Sequence, residues 1–160
     1  MSTATFPLSL RSLSARQAIL WGGLACGVLD AADGVVAYGL HAGLNPIQVL
    51  QFIASGLLGP SAFGGGIAAA ALGATLHFLI AFVVAGIYVA ASSRIAALRS
   101  EPATFGLLFG AAVYLVMTYA VLPLSAVPPS PFSFPMFLNG IISHALFVGL
   151  PIAMYARRIA

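Results

Sequence analysis

Four ionisable side chains interrupt the long apolar stretches of this 160-residue sequence: Asp30, Asp33, His77 and His144. A charged side chain in the lipid interior costs about 2.5–3.5 kcal/mol, so such residues predict a functional site. Imidazole and carboxylate groups can bind a transition metal or relay protons near neutral pH. Two histidines can also hold a haem iron from both faces. The same side chains could instead form a polar network that only sets helix register.

The elements that position these side chains are four apolar stretches, each long enough to cross a bilayer. We predict an all-α fold, a single membrane domain over 1–160, with transmembrane helices at about 18–40, 67–91, 104–124 and 136–155. Segment 46–58 begins with a proline at a plausible first helical position and mixes apolar residues with Gln48 and Gln51. It predicts an amphipathic helix on the outer surface or a short re-entrant helix.

The composition excludes a soluble domain. Hydrophobic residues make up 61% of the chain and charged residues 6%, whereas soluble domains average about 25% charged residues. The basic residues are all arginines, and they lie in pairs at the ends of the predicted helices: Arg11 and Arg16, Arg94 and Arg99, Arg157 and Arg158. This positive-inside pattern predicts a multi-pass protein of the bacterial inner membrane with both termini in the cytoplasm. Without a basic face, the predicted partner is the lipid bilayer and not nucleic acid.

Helical rise places the polar side chains of all four helices in one layer of the outer half of the membrane. The ionisable groups fall about 10–15 Å below the outer surface, and polar groups of the third helix at about 9–15 Å. The predicted ligand or proton site is Asp30, Asp33, His77, His144, Tyr114 and Thr118. A metal ion would use His77, His144, Asp30 and Asp33, whereas haem b would use the two histidines. We expect Asp33 and His144 to form the entrance, with the amide of Asn139 just above.

Small residues recur at four-residue spacing beside these polar groups, as in Gly106-xxx-Gly110. Such spacing lets helix backbones approach closely in lipid, so the polar faces should point into the bundle. Pro151 lacks the N–H that would bond the carbonyl of Phe147, which predicts a kink or a freed carbonyl in the fourth helix.

The leading hypothesis is a site, open to the outer side, that handles protons, a metal ion or a small solute. A non-catalytic accessory or assembly subunit of a larger membrane complex, a homo-oligomer and a bis-histidine haem protein remain alternatives. A non-enzymatic protein is favoured because Gly64-Gly65-Gly66 lacks the lysine of a phosphate-binding loop. An intramembrane hydrolase that uses Asp30 and Asp33 stays open.

Several stretches resemble a group of small bacterial inner-membrane proteins and, more distantly, the YagU-like inner-membrane family. They are 51–59, 76–81, 122–128, 139–144 and the closing Arg157-Arg158. The YagU-like family also has a proline-rich outer link followed by a helix with an inward histidine. The resemblance implies a role in acid tolerance, which suits a proton-responsive site. The sequence departs from that family around 30–34, and the resemblance transfers no catalytic residue.

Overall fold

A computed structural model describes residues 12–160, so Arg11 of the predicted arginine pattern lies outside them. The described residues fold into helices and turns, and the predicted all-α fold is confirmed. The α-helices are α1 (Ala15–Ala42), α2 (Pro46–Leu58), α3 (Gly66–Ser92), α4 (Ala97–Ser100), α5 (Pro102–Val116), α6 (Phe134–Ser143) and α7 (Leu150–Ala156). A 3₁₀ turn, Gly59–Gly64, extends α2.

Five helical stretches are long and apolar enough to cross a membrane: Ala15–Ala42, Pro46–Gly64, Gly66–Ser92, Pro102–Val121 and Phe134–Ala156. Four of them overlap the four predicted transmembrane helices. The remaining one contains the segment that we predicted to be amphipathic or re-entrant. Its length and composition are therefore compatible with a membrane span as well.

Local sequence signals delimit the first two helices. Ser14 accepts a hydrogen bond from the backbone N–H of Gln17, whose side chain in turn accepts from Ser14 N–H, which is a capping box at the start of α1. Asn45 and Gln48 form the same box at the start of α2. Between the two helices Gly43 adopts a φ of 67°, a left-handed conformation that favours glycine at a helix end.

Two wide-turned π-helical segments interrupt the second half of the chain, and each ends two residues before a proline. Met117–Val121 precedes Pro123, and His144–Gly149 precedes Pro151. A proline cannot donate to the carbonyl four residues earlier and clashes with it. In a π-helical turn each carbonyl accepts a hydrogen bond from the N–H five residues later, so the donor to that carbonyl lies beyond the proline. A kink or freed carbonyl is the sequence expectation at Pro151, and the structure has a π-helical segment just before it.

Helices α1 and α3 form an antiparallel pair, the N-terminal pair. Gly23 of α1 lies beside Phe82, and Gly27, one turn later, lies beside Phe78 of α3. A side chain at either glycine would overlap the facing phenylalanine ring. The phenylalanine rings of α3 therefore pack directly against the backbone of α1.

Helix α5 and the continuous helix Phe134–Ala156 form a second antiparallel pair, the C-terminal pair. A Cβ at Gly106 would lie 2.8 Å from the Cβ of Ala153, and Gly110 contacts the backbone of His144. A Cβ at Gly149 would overlap the carbonyl of Gly106. These backbones thus approach so closely that glycine is required at the crossing.

Helix α1 joins the two pairs, because it also packs against α7. A Cβ at Gly22 would lie 3.4 Å from the Cα of Ile152. Leu13, just before α1, donates its N–H to the carbonyl of Arg158 at 2.8 Å. The described ends of the chain therefore meet at one end of the bundle, the arginine end, which carries Arg16, Arg94, Arg99, Arg157 and Arg158. The opposite end, the proline end, carries the link 122–133.

Small side chains build most of the buried core between these helices. One cluster consists of Ala18, Cys26, Ala81, Ala85, Tyr88, Val89, Val148, Ile152, Ala153 and Ala156. Tyr88 is 1% exposed, and its hydroxyl donates to the carbonyl of Leu98 at 2.9 Å. Close helix contact therefore replaces large interlocking side chains in this core.

Helix α2 lies across the proline-end halves of α1 and α3. Gly73 of α3 contacts the backbone carbonyl of Leu50, so α2 rests directly on the α3 backbone. Gln51, a polar residue of the predicted amphipathic segment, is 5% exposed and donates its amide to the carbonyl of Gly66 at 3.0 Å. Gln51 therefore caps a backbone carbonyl at the start of α3.

Candidate functional site

Asp30 and His144 face each other between α1 and the C-terminal pair. Oδ1 of Asp30 lies 3.5 Å from Nδ1 of His144, and both side chains are 21% exposed. This is an electrostatic contact rather than a hydrogen bond. Nδ1 of His144 is buried, and within residues 12–160 it has no hydrogen-bond partner. A carboxylate and an imidazole nitrogen are therefore adjacent, and that nitrogen is not committed to a structural hydrogen bond.

The α5 helix forms the wall beside His144. The ring of Tyr114 packs edge-on against the His144 imidazole with 5.3 Å between centroids. Gly140 leaves the space for the Tyr114 ring, since a Cβ there would overlap it. Thr118, in the π-helical segment one turn further along, is half-buried and makes no side-chain hydrogen bond within the described part of the chain. Tyr114 thus belongs to the immediate surroundings of the pair.

Asp33 lies one helical turn closer to the proline end and has a different partner. Its Oδ2 accepts a hydrogen bond of 3.0 Å from Nδ2 of Asn139. Asp33 and His144, which we expected to form the entrance, take part in two separate contacts of α1 with Phe134–Ala156. Asp33 pairs with an amide, which satisfies a carboxylate oxygen, and Asp30 pairs with an imidazole.

His77 lies on the other side of α1. Its Nε2 is 2.8 Å from the carbonyl oxygen of Gly27, and its ring meets the edge of Phe78. A carbonyl only accepts, so Nε2 must carry the hydrogen of this bond. His77 therefore links α3 to α1, and among the described residues the only imidazole–carboxylate contact within 4.0 Å is that of His144.

The structure does not bring the four residues of the predicted metal site together. Within the described residues, no three His, Cys, Asp or Glu side chains come together to hold a metal ion. Nε2 of His77 is engaged with the Gly27 carbonyl, so this nitrogen does not face an iron shared with His144. Metal and haem binding stay predictions, and no step of the proposal below uses them.

Comparison of the chain with protein family models, curated proteins and solved structures finds no match. The resemblance to the YagU-like family therefore stays a prediction. The function has to be inferred from the geometry of the site.

Sequence reasoning found the titratable residues but missed two features of the site. The Gly27 carbonyl that binds His77 is a backbone group, and every residue has one, so it leaves no sequence signal. The π-helical segment that begins at His144 does have a signal, a proline two residues beyond its end. Pro151 was noted, but its effect on the placement of His144 was not.

Proposed function

We propose that this chain is a four-pass membrane protein that binds and releases protons at the Asp30–His144 pair. The observation that carries the proposal is the distance of 3.5 Å between Oδ1 of Asp30 and a buried His144 nitrogen that has no hydrogen-bond partner in the described structure. Histidine gains and loses a proton in the physiological pH range. The pair therefore places two groups that can exchange a proton inside a span that lipid otherwise keeps free of charge.

The local backbone supports this role. His144 begins a π-helical segment, and such segments are frequent at functional sites because they free and redirect backbone groups. Tyr114 packs on one face of the imidazole. The electrostatic interaction between Asp30 and His144 is stronger in this partly enclosed site than in water, because the local dielectric constant is lower.

The contacts of α2 support four spans rather than five. Helices α1 and α3 run antiparallel in direct contact, so α2 begins and ends at the same end of that pair. Gly56 of α2 accepts a hydrogen bond of 3.0 Å from the N–H of Ala126, in the link that follows α5 at the proline end. Helix α2 is then a re-entrant or covering helix on the proline end.

The positive-inside rule assigns the arginine end to the cytoplasm. The proline end then faces the outer side of the inner membrane. Asp30 lies about 18 Å along α1 from its last residue at that end, close to the middle of the bundle. A proton would therefore enter from the proline end, past Asp33 and Asn139.

Proton flux into vesicles tests this proposal. The purified protein is reconstituted in liposomes that contain a pH-sensitive dye, and a pH step is applied together with a potassium ionophore. We expect the wild-type protein to collapse the gradient faster than protein-free vesicles, and His144→Phe to return to the protein-free rate. His41→Phe is the matched control, because His41 is exposed at the proline end and its ring forms a hydrogen bond with Ser133.

Folded variants are selected by size-exclusion chromatography and helical circular dichroism before flux is compared. Equal flux for wild type and His144→Phe would disprove proton transfer at this pair. The same conclusion follows if His41→Phe loses flux to the same extent.

A further inference from the structure

The arginine end contains a groove that the proton site does not use. A cavity of about 450 Å³ is lined by Ser12, Leu13, Gln17, Trp21, Tyr155 and Arg158. A second cavity of about 360 Å³ is lined by Met154, Tyr155, Arg157 and Arg158. Because the two share Tyr155 and Arg158, they form adjoining parts of one surface, which we call the arginine groove.

The backbone fixes this groove in place. Leu13 donates its N–H to the carbonyl of Arg158 at 2.8 Å, and the N–H of Ala160 lies 3.4 Å from the carbonyl of Leu13. This short bridge holds Arg158 beside the first turn of α1. The N-terminus of a long helix carries a partial positive charge, which adds to that of the guanidinium.

The groove presents mainly hydrogen-bond donors. The Oε1 atom of Gln17 accepts a hydrogen bond of 2.9 Å from the N–H of Ser14. The other polar group of the Gln17 side chain is its NH₂ group, which is a donor. Arg158 and the hydroxyl of Tyr155 line the same space, and no acidic side chain is among the described residues that line either cavity. Guanidinium groups pair with phosphate oxygens through two parallel hydrogen bonds. The chemistry therefore favours a phosphate-bearing anion.

The surroundings favour a lipid as the source of that phosphate. Trp21 is 47% exposed and Leu20 is 50% exposed, and both lie on the first two turns of α1. Met154, on the other side of the groove, is 43% exposed. Trp21 lies about 9 Å along α1 from its start. An exposed indole at that depth is typical of the membrane interface, where acyl chains meet headgroups.

We propose that the arginine groove binds the phosphate headgroup of an anionic phospholipid in the leaflet at the arginine end. The acyl chains would lie along Trp21 and Leu20, and the phosphate beside Arg158. The proposal rests on the membrane placement of the chain but not on the Asp30–His144 pair. Loss of proton flux and loss of lipid binding are therefore separate results.

Quenching of tryptophan fluorescence tests the proposal, because Trp21 is the only tryptophan in the sequence. The full-length protein is reconstituted in phosphatidylcholine vesicles that contain a small fraction of a lipid with brominated acyl chains. That lipid is either phosphatidylglycerol or phosphatidylcholine, with identical chains. We expect stronger quenching by brominated phosphatidylglycerol, because only its headgroup concentrates it at the groove.

Arg158→Gln should reduce this preference about fivefold, the effect typical of one arginine at an anionic surface. Arg94→Gln is the matched control, since Arg94 is exposed in the link between α3 and α4 and lines neither cavity. Arg158→Lys retains the cation and should retain a large part of the preference. If Arg158→Gln does not fold, Tyr155→Phe together with Arg157→Gln reduces the same set of donors.

Three results would overturn the proposal. The first is equal quenching by the two brominated lipids with the wild-type protein. The second is an equal loss of preference in Arg158→Gln and Arg94→Gln, which would indicate a diffuse surface charge. The third is removal of the preference by millimolar glycerol 3-phosphate but not by an equal ionic strength of chloride, which would identify a site for soluble phosphates.

Discussion

The N-terminal and C-terminal pairs use the same packing principle but differ in backbone regularity. Both are antiparallel, both depend on close approach at glycine, and each carries one histidine away from its helix ends, His77 and His144. In the N-terminal pair α1 and α3 are uninterrupted α-helices, and His77 bonds to the Gly27 carbonyl. In the C-terminal pair one π-helical segment directly follows α5 and another lies within Phe134–Ala156, and His144 faces Asp30 without a hydrogen bond.

Two histidines in comparable apolar surroundings therefore have different partners. A backbone carbonyl satisfies one nitrogen of His77 and holds it as a link between helices. His144 lies where the helix widens, and its facing partner is a titratable group. Helix α1 faces both histidines. Its Gly27 carbonyl contacts His77 on one side, and its Asp30 carboxylate contacts His144 on the other.

The largest effect is expected where the C-terminal pair is tightest. Gly149→Val should lower the free energy of unfolding by about 3 kcal/mol, because the new side chain overlaps the Gly106 backbone. Gly86→Val is the control, since within the described residues no atom lies within 4 Å of a Cβ at Gly86. Thermal unfolding in detergent measures both. Equal stability of the two variants would contradict the close contact.

Asp30→Asn should abolish proton flux while the protein stays folded, because asparagine keeps the shape of the side chain but not its charge. In NMR spectra of histidine-labelled protein, the imidazole signals of His144 should move and those of His77 should not. His144 is the neighbour of Asp30 at 3.5 Å, whereas His77 bonds to a carbonyl. Movement of the His77 signals alone would reverse the assignment of the two histidines.

His77→Phe should retain proton flux but lower the free energy of unfolding by about 1 kcal/mol, because one hydrogen bond between α1 and α3 is lost. The phenylalanine ring is similar in size to imidazole, so the packing against Phe78 changes little. Thermal unfolding and vesicle flux are measured on the same preparation. A folded His77→Phe variant without flux would place His77 in the proton path.

The smallest effect is expected at the amide contact. Asn139→Ala should cost about 0.6 kcal/mol, the average for a side-chain hydrogen bond between membrane helices, because Asp33 loses its donor. Thr118→Val is the control and should leave stability unchanged, since Thr118 makes no side-chain hydrogen bond in the described structure. Differential scanning fluorimetry separates the two if measured at equal lipid content. A larger loss for Thr118→Val would show that the π-helical segment of α5 needs its hydroxyl.

Much of the fold could be predicted because its causes are local. The lengths of the apolar stretches predicted the helices, and Asn45 and Pro46 predicted the start of α2 where the structure has it. The sequence did not reveal that Gln51 is buried, because that depends on the Gly66 carbonyl, fifteen residues away. The predicted layer of polar residues contains Asp30 and His144 as neighbours, but His77 at a similar depth faces a different side of α1.

The sequence by itself determined the helical elements, the grouping of arginines at helix ends and the approximate position of each polar side chain along its helix. These properties follow from apolar length and from a fixed rise per residue. Only the tertiary structure decided that Asp30 meets His144, that Asp33 meets Asn139 and that His77 meets a backbone carbonyl. Depth is a coordinate along one helix, whereas a partner depends on the rotation of two helices about their axes. Glycine contacts between segments far apart in the chain set that rotation.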